Sequence, residues 1–351
     1  MTPAGQEGAA GQATAARQAA PGDFDRDVLA QPRNLEEAAA TILPALERAE
    51  LRRFQVRLLV FTGMGASLSA AVPAVLVLRA AGRPALAMPA TEVLLPGGER
   101  VGGAYVAVSQ SGRSAETVAA LDAVERPRLA LTNATTSPLA EVADLTLPLG
   151  SAPDAGIAVL TYTASLLAAA ALAGALVGGG LGLDVGRLAA AVAELLDRAD
   201  PAARRVAGRL AGARAVDVAA GGFSAASAGY GALLLRETAR IPAAAFDSRQ
   251  YLHGPVEVAE AGVGAVLLGD GREVGLARHL AAAGAAVLLV AGGGVVAPDG
   301  VELVTLPDVP APLRPILEAV PLQLLAGRLA SDRGLVAGRF RHHQADTKTG
   351  P

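Results

Sequence analysis

The chain contains no cysteine and no tryptophan. Without cysteine there is no disulfide, no thiolate metal site and no cysteine nucleophile. Histidine is sparse as well: His253, His279, His342 and His343 are the only four, so a multi-histidine metal site is not expected and no cofactor is called for. Lysine is almost missing; Lys348 is the single one, and every other basic residue is arginine. No basic stripe stands out against a net charge of −3 and a pI of about 5.9, which argues against nucleic acid as a partner. What is abundant is apolar. A hydrophobic content of 52% and a mean hydropathy of +0.40 supply a large core and exclude global disorder. At 351 residues the chain is long for one domain and suggests two of about 150 each.

Charge is also absent from the run between Asp154 and Asp184, which includes LTYTASLLAAAALAGALVGGG. Its length would permit a spanning helix. It is mostly Ala, Gly, Thr and Ser, with no basic flank and no aromatic belt, so a buried helix of a large α/β protein fits it better and no membrane association is expected. The opening MTPAGQEGAAGQATAARQAAPG lacks the apolar stretch of a signal peptide. It reads as a disordered leader, residues 1–24, and the expected compartment is the cytoplasm.

Beyond the leader, Asn34 is expected to cap a helix over LEEAAATILPALERAE. Apolar strand runs then alternate with helical ones: QVRLLVFTG, RPALAMPA, GAYVAVSQ, RPRLALTN and ADLTLPL are the strands, with helices near 66–81, 114–123, 136–142 and 157–179. Such alternation indicates a parallel, doubly wound sheet. Residues 181–212 turn helical and read as a bridge between domains, with Pro201 after Asp200 opening a second helix. ARAVDVAAGG, AGVGAVLLGD, AAVLLVAGG and VELVTLP supply further strands, with helices at 225–239 and 312–331. The halves pair as a degenerate repeat at an offset of about 155 residues: RLLVFTGMGASLSAA with RAVDVAAGGFSAASA, and GAYVAVSQSGRS with GAVLLGDGRE. Chance similarity in an Ala/Gly-rich chain is the alternative. The expected layout is a first domain at 25–190, a second at 191–332 and a tail at 333–351.

Four features carry chemistry. GMGAS (63–67) ends a strand and opens a helix, where glycines allow close backbone approach and the helix N-terminus favours an anion; a tight turn explains it equally well. SQSGRSAET (109–117) clusters Ser109, Gln110, Ser111, Ser114 and Thr117 at another strand-to-helix turn, more donors than a cap needs, and suits a phosphate. The matching second-half loop carries Asp270, whose carboxylate is expected to repel phosphate, so one anion site per chain is expected. In RETARIPAAAFDSRQYLHGP (236–255), Glu237 and His253 are the side-chain types that move a proton beside a carbonyl and open a sugar ring, although a surface Glu and a satisfied His read equally well. Lys348 is either a retained functional ammonium or tail drift.

Together these pieces resemble the double sugar-isomerase (SIS) domain family, whose best-known member is the isomerase half of glucosamine-6-phosphate synthase. The resemblance runs from about Asp25 to Lys348: DVLAQP, GMGAS, SQSGRSAET, TNATTSPLAEVAD and RETARIPAAAFDSRQYLHGP fall in the family's order, with its sixteen-residue spacing from Glu237 to His253. It implies two tandem doubly wound, flavodoxin-like α/β domains with flanking helices. It implies that Ser109, Gln110, Ser111 and Ser114, with Ser67 nearby, hold a sugar phosphate, and that Glu237 shuttles a proton between C1 and C2. His253 would reach over from the neighbouring subunit of a homodimer with shared sites, and Lys348 would close the site. The expected activity is that of a 6-phosphosugar isomerase or aminosugar-phosphate deaminase; a non-enzymatic phosphosugar sensor is the alternative. No glutaminase domain precedes the pair and no Cys could serve one, so glutamine-dependent amination is not expected of this chain alone. Leu234 stands where the synthase has a second lysine, Arg113 replaces the loop's glutamate, and GIAVLTYT lacks a further lysine.

Overall fold

Strands that are apolar at every position need cover on both faces, and the fold supplies it. The structure, a computed structural model, describes residues 19–182, 184–342 and 345–349. After helix α1 (Asp23–Arg48), the first half runs β1 (Leu59–Gly63), α2 (Ala66–Ala80), β2 (Ala85–Pro89), α3 (Ala90–Val93), β3 (Ala104–Val108) and α4 (Ala115–Ala123). It closes with β4 (Arg128–Thr132), α5 (Pro138–Val142), β5 (Leu145–Pro148) and α6 (Leu160–Leu176). The second half runs α7 (Val185–Leu210), β6 (Ala215–Ala220), α8 (Ala225–Thr238), β7 (Ala243–Asp247), β8 (Val263–Leu268), α9 (Arg272–Ala282), β9 (Ala286–Gly292), β10 (Val301–Leu306) and α10 (Arg314–Asp332).

Each half forms one five-stranded parallel sheet, ordered β2-β1-β3-β4-β5 and β10-β9-β8-β6-β7. Counted from its own first strand, the second order is the first one reversed, so the expected tandem doubly wound α/β architecture is present and the repeat is topological. Side chains alternate between two layers. Leu59, Phe61, Val106 and Val108 enter a central core shared with α1, α2, α6, α7, α8 and α10, while Val60, Tyr105 and Ala107 enter an outer core with α3–α5. Tyr251 and α9 cover the outer face of the second sheet. The uncharged run forms α6, with 15 of 17 residues buried, which is the all-round burial expected of a helix between layers. No helix among the described residues is long and apolar enough to cross a membrane.

Two helix starts differ from expectation. Asn34 does not cap; α1 begins at Asp23 and runs through Pro32, and Asn34 is buried inside it. Its Nδ2 donates to the Leu160 carbonyl while its Oδ1 accepts from Ala152 N at 2.8 Å and Ser151 Oγ at 3.2 Å, so the residue pins the entry to α6 instead. Pro201 does not open a helix either. The α7 helix passes through it, and Asp200 bonds Arg204 and Arg328 rather than a helix N-terminus. As one long helix, α7 joins the two halves in sequence and packs along α10, α1 and the second sheet. The expected boundary at 190 falls inside it, and that at 24 falls just inside α1. Residues 1–18 lie outside the described residues.

The N-terminus of α6 is held by a residue the sequence reading passed over. Asp154 Oδ1 accepts from the backbone N–H of Val159, Leu160 and Thr161 at 3.0, 2.7 and 3.3 Å, and Oδ2 accepts from Thr161 Oγ1. Burial still pushes its carboxyl up to about 6 against those bonds. Asp154→Ala is expected to destabilise the protein by about 2 kcal/mol, because three donors at a buried helix start lose their acceptor. Urea unfolding of the variant measures this; an unchanged midpoint would show that water caps the helix as well.

Candidate functional site

In a doubly wound sheet, ligands bind where strand order reverses, beyond the strands' carboxyl ends. In the first sheet that point lies between β1 and β3. Both expected loops leave it: GMGAS follows β1 and SQSGRS follows β3. Gly63 pairs with Val108, and a Cβ on Gly63 would stand 2.8 Å from the Val108 carbonyl, so glycine lets the loops run side by side. Gly112 has φ +60, and a Cβ there would run into Ser137 Oγ.

The polar groups of the second loop face one another. Ser109 is 5% exposed, and its N–H bonds the Leu131 carbonyl. Gln110 O accepts from Asn133 N, and Ser111 Oγ accepts from Arg113 N at 3.3 Å. Ser114 stands at the N-cap of α4 but makes no capping bond. Its hydroxyl donates to Glu116 Oε2 at 3.3 Å and accepts from Thr117 Oγ1 at 3.1 Å. The first-turn N–H groups of α4 are therefore not taken by a side-chain cap, which is the arrangement that accepts an anion. A phosphate taking the Ser114 hydroxyl would have to turn it away from Glu116.

The tail comes to this loop. Lys348 Nζ donates to Ser111 Oγ at 3.3 Å, its backbone forms an antiparallel bridge with Ser114, and Thr349 N donates to the Arg113 carbonyl at 2.9 Å. A sixth residue of the expected set approaches from the second domain. Gly65, at the start of α2, would carry its Cβ 3.3 Å from Leu233 Cδ2, and Leu233 is one helical turn before Glu237 on α8. Ser67 stands in the first turn of α2, between Gly65 and the strand ends. Glu237 opens on a cavity of about 410 Å³ whose other wall is the tail at Phe340, Arg341 and His342. Burial alone pushes its carboxyl up from 4.5 to about 7.

His253 stands apart. It follows a short 3-10 turn, its side chain is exposed, and it does not line the Glu237 cavity. His343 lies outside the described residues. Leu234 is buried, so α8 places no cation at that position. The second switch point departs from its expected reason for lacking an anion site. Asp270 is not an isolated charge: Arg314 bonds both of its oxygens, at 2.5 and 2.9 Å, and Gly292 N donates to it at 2.6 Å. Arg314 Nε also bonds Glu318, which accepts from Ser224 Oγ. A salt-bridge cluster fills the place. Sequence reading missed Arg314 and Glu318 because they lie on a helix remote in sequence, and missed Arg240 and Arg341 because nothing local marks them.

Comparison with known proteins bears out the resemblance read from the motifs. No family model matches the chain. It is 33% identical over 344 residues to the glutamine–fructose-6-phosphate aminotransferase (isomerizing) of Aeropyrum pernix, covering 88% of this chain and 54% of that protein. The chain spans about half the length of the curated relatives it matches. The C-terminal domain of glucosamine-fructose-6-phosphate aminotransferase from Francisella tularensis superposes with a TM-score of 0.78 at 20% identity, covering 90% of this chain and 97% of that one. Glucosamine-6-phosphate deaminase from Thermotoga maritima gives 0.73 at 20%, covering 92% and 98%. The chain has the tandem sugar-isomerase-domain fold, and in sequence it resembles the double SIS-domain family.

A carboxyl raised by burial makes stability depend on pH. Glu237 holds its proton more tightly folded than unfolded, so its contribution is full below about 4.5 and is lost as pH rises through about 7. Glu237→Gln, which has no charge to bury, is expected to match wild type below pH 4 and to be more stable near pH 8 by roughly 2 kcal/mol. Thermal melts at both pH values read this directly. A difference that does not change with pH would refute the burial of the charge.

Proposed function

We propose that the chain acts on a 6-phosphosugar or 6-phospho-aminosugar and moves one proton between C1 and C2, as an isomerase or as a deaminase that releases ammonia. The observation that carries this reading is the meeting of two halves of one chemistry at one switch point: a hydroxyl- and N–H-rich loop with Lys348 across it, and a half-buried carboxyl near pH 7 one helical turn from the glycine loop beside it. The phosphate would sit on Ser109, Gln110, Ser111 and Ser114 at the start of α4, with Lys348 as counter-charge. The open-chain sugar would extend toward α8. Glu237, ionised in half of the molecules near neutral pH, would take the proton from one carbon and return it to its neighbour through an enediol or enamine. With an amino substituent the same transfer gives an imine, and addition of water then expels ammonia. Its likeness to a deaminase and to the aminotransferases agrees with either outcome.

His253 would assist ring opening from a second copy of the chain. Its exposed position on the turn before Gly254-Pro255 supports a homodimer with two composite sites. The protein would then work in the cytoplasm on a soluble metabolite.

Thermal-shift screening of 6-phosphosugars identifies a ligand, and incorporation of solvent deuterium at C2 reads the proton transfer. Wild type should exchange; Glu237→Gln should bind the same ligand and exchange about a thousandfold slower. Binding without exchange by wild type would make the protein a sensor instead. For the shared site, Glu237→Gln and His253→Ala chains refolded together should recover roughly a quarter of wild-type activity, since half of the dimers are mixed and each has one intact site. Mixtures as inactive as the single variants would place both residues in one chain's site.

A further inference from the structure

We propose that the cavity beside Glu237 is a second anion subsite, built for a carboxylate carried on a substituent at C1 of the sugar phosphate, at the end remote from its 6-phosphate. The proposal rests on the reading of the phosphate loop and Glu237 given above, and it narrows the substrate to phosphosugars with a negative charge at both ends.

The charge of the cavity carries the argument. Arg236, Arg240 and Arg341 line it, against one carboxylate, Glu237. None of the three arginines has a carboxylate within ion-pair distance among the described residues. Arg236 Nε donates to the Ala243 carbonyl and Arg240 Nη2 to the Arg339 carbonyl, and Arg341 makes no hydrogen bond there. Peptide carbonyls hold two of these side chains in place without neutralising them. Glu237 does not consume their charge either, because its carboxyl is raised by burial with no opposing pull from a guanidinium. The cavity therefore carries a positive charge that no carboxylate among the described residues balances, in a volume of about 410 Å³ that is typical of a small-ligand pocket.

The backbone at Arg240 adds an independent observation. Its φ is +52, and it is the one non-glycine residue with positive φ among the described residues. Glycine would adopt that conformation without strain, and it ends many helices for that reason. An arginine there strains the backbone and gains a side chain that reaches both the tail and the cavity. Guanidinium groups are matched to carboxylates by their paired N–H donors, and Arg341, free of other bonds, can supply the second fork.

Position then fixes which end of the substrate is read. The phosphate loop lies beyond Gly63 and Val108, Glu237 lies one helical turn past the Leu233 contact, and the arginines line the cavity into which Glu237 opens. A sugar with its phosphate on the loop and C1–C2 at Glu237 directs its C1 substituent into that cavity.

Two ligands that differ only at C1 test this: 6-phosphogluconate, with a carboxylate there, and glucitol 6-phosphate, with an alcohol. Calorimetric titration of the full chain should show the acid binding about tenfold tighter than the alcohol at low salt, with the preference shrinking as salt rises. In Arg341→Ala the ratio should fall toward one. That variant removes no hydrogen bond among the described residues, so it keeps the test sound if Arg240→Ala, which also unties the tail, proves unstable. Equal affinities in wild type, or a tenfold preference that survives Arg341→Ala and Arg240→Lys, would overturn the subsite. Binding of neither ligand by the folded protein would instead overturn the phosphate-loop reading, and the subsite would fall with it.

Discussion

The close approach of α2 and α8 across the domain interface is the constraint on which the site depends. A Cβ on Gly229 of α8 would stand 2.7 Å from Ser69 Oγ of α2, and one on Gly65 would stand 3.3 Å from Leu233. Small residues at these crossings let one helix from each domain touch nearly backbone to backbone. One of them begins at the glycine loop and the other ends at Glu237. A side chain at 229 would push the carboxyl away from the switch point without touching any residue of the site. Behind this contact, α6 packs on α2 with a surface of Ala, Gly and Thr, so the seam is set by small residues on several helices at once. Polar bonds then choose one orientation. Tyr162 and Tyr230 stack with centroids 3.6 Å apart, each hydroxyl donates to a carbonyl across the seam, and Gln31 and Gln323 extend the chain of bonds to α1. Burial of apolar area drives the two halves together, and these satisfied bonds penalise any other docking.

Much of the fold was legible because its strands are continuous apolar runs ending in glycine or a polar turn, and because the two halves repeat one topology. The failures share a cause. Asn34 before LEE has the form of a cap, and Asp200-Pro201 has the form of a helix start, but both sit inside a continuous helix, and their side chains bond tertiary partners instead of a helix start. Asn34 spends its amide on residues more than a hundred positions away, and Asp200 bridges to Arg328 on α10. Local sequence cannot announce such partners. The edge strand β7 was absorbed into a motif because AAAFD has little strand character of its own; its pairing with β6 makes it a strand.

The site divides along similar lines. The hydroxyls and amide of residues 109–114 are contiguous, so the candidate loop could be read in one line of sequence. The approach of Lys348 to Ser111 joins positions far apart in the chain and was anticipated only through the family resemblance. The raised carboxyl of Glu237 could not be read at all, since its cause is burial by α8's neighbours and not any adjacent residue. The same holds for the arginines around it: Arg236 and Arg240 flank Glu237 in sequence, but Arg341 completes the cavity from the tail. In an arginine-rich chain no single guanidinium draws notice until the fold groups several of them.

The second switch point is filled by bonds between side chains of the chain itself. The same strand order brings Asp270 to the place that Ser109–Ser114 hold in the first domain, and its charge alone would have made that place hostile to phosphate. The structure adds a cation and takes the argument further. Arg314 places its fork on Asp270 and its Nε on Glu318, while the Ser224 hydroxyl, at the start of α8, donates to Glu318 and not outward. In the first domain the Ser114 hydroxyl bonds neighbours in its own helix, Glu116 and Thr117, whereas here the bonds run to a helix remote in sequence. The cluster ties α10 to the ends of the second sheet, and α10 in turn packs on α7 and α8. The helix that carries Glu237 thus packs on a helix held by this cluster. An anion entering the second switch point would have to displace the Arg314 bonds to Asp270 and Glu318, so the same bonds that steady α10 against the sheet ends also close that position.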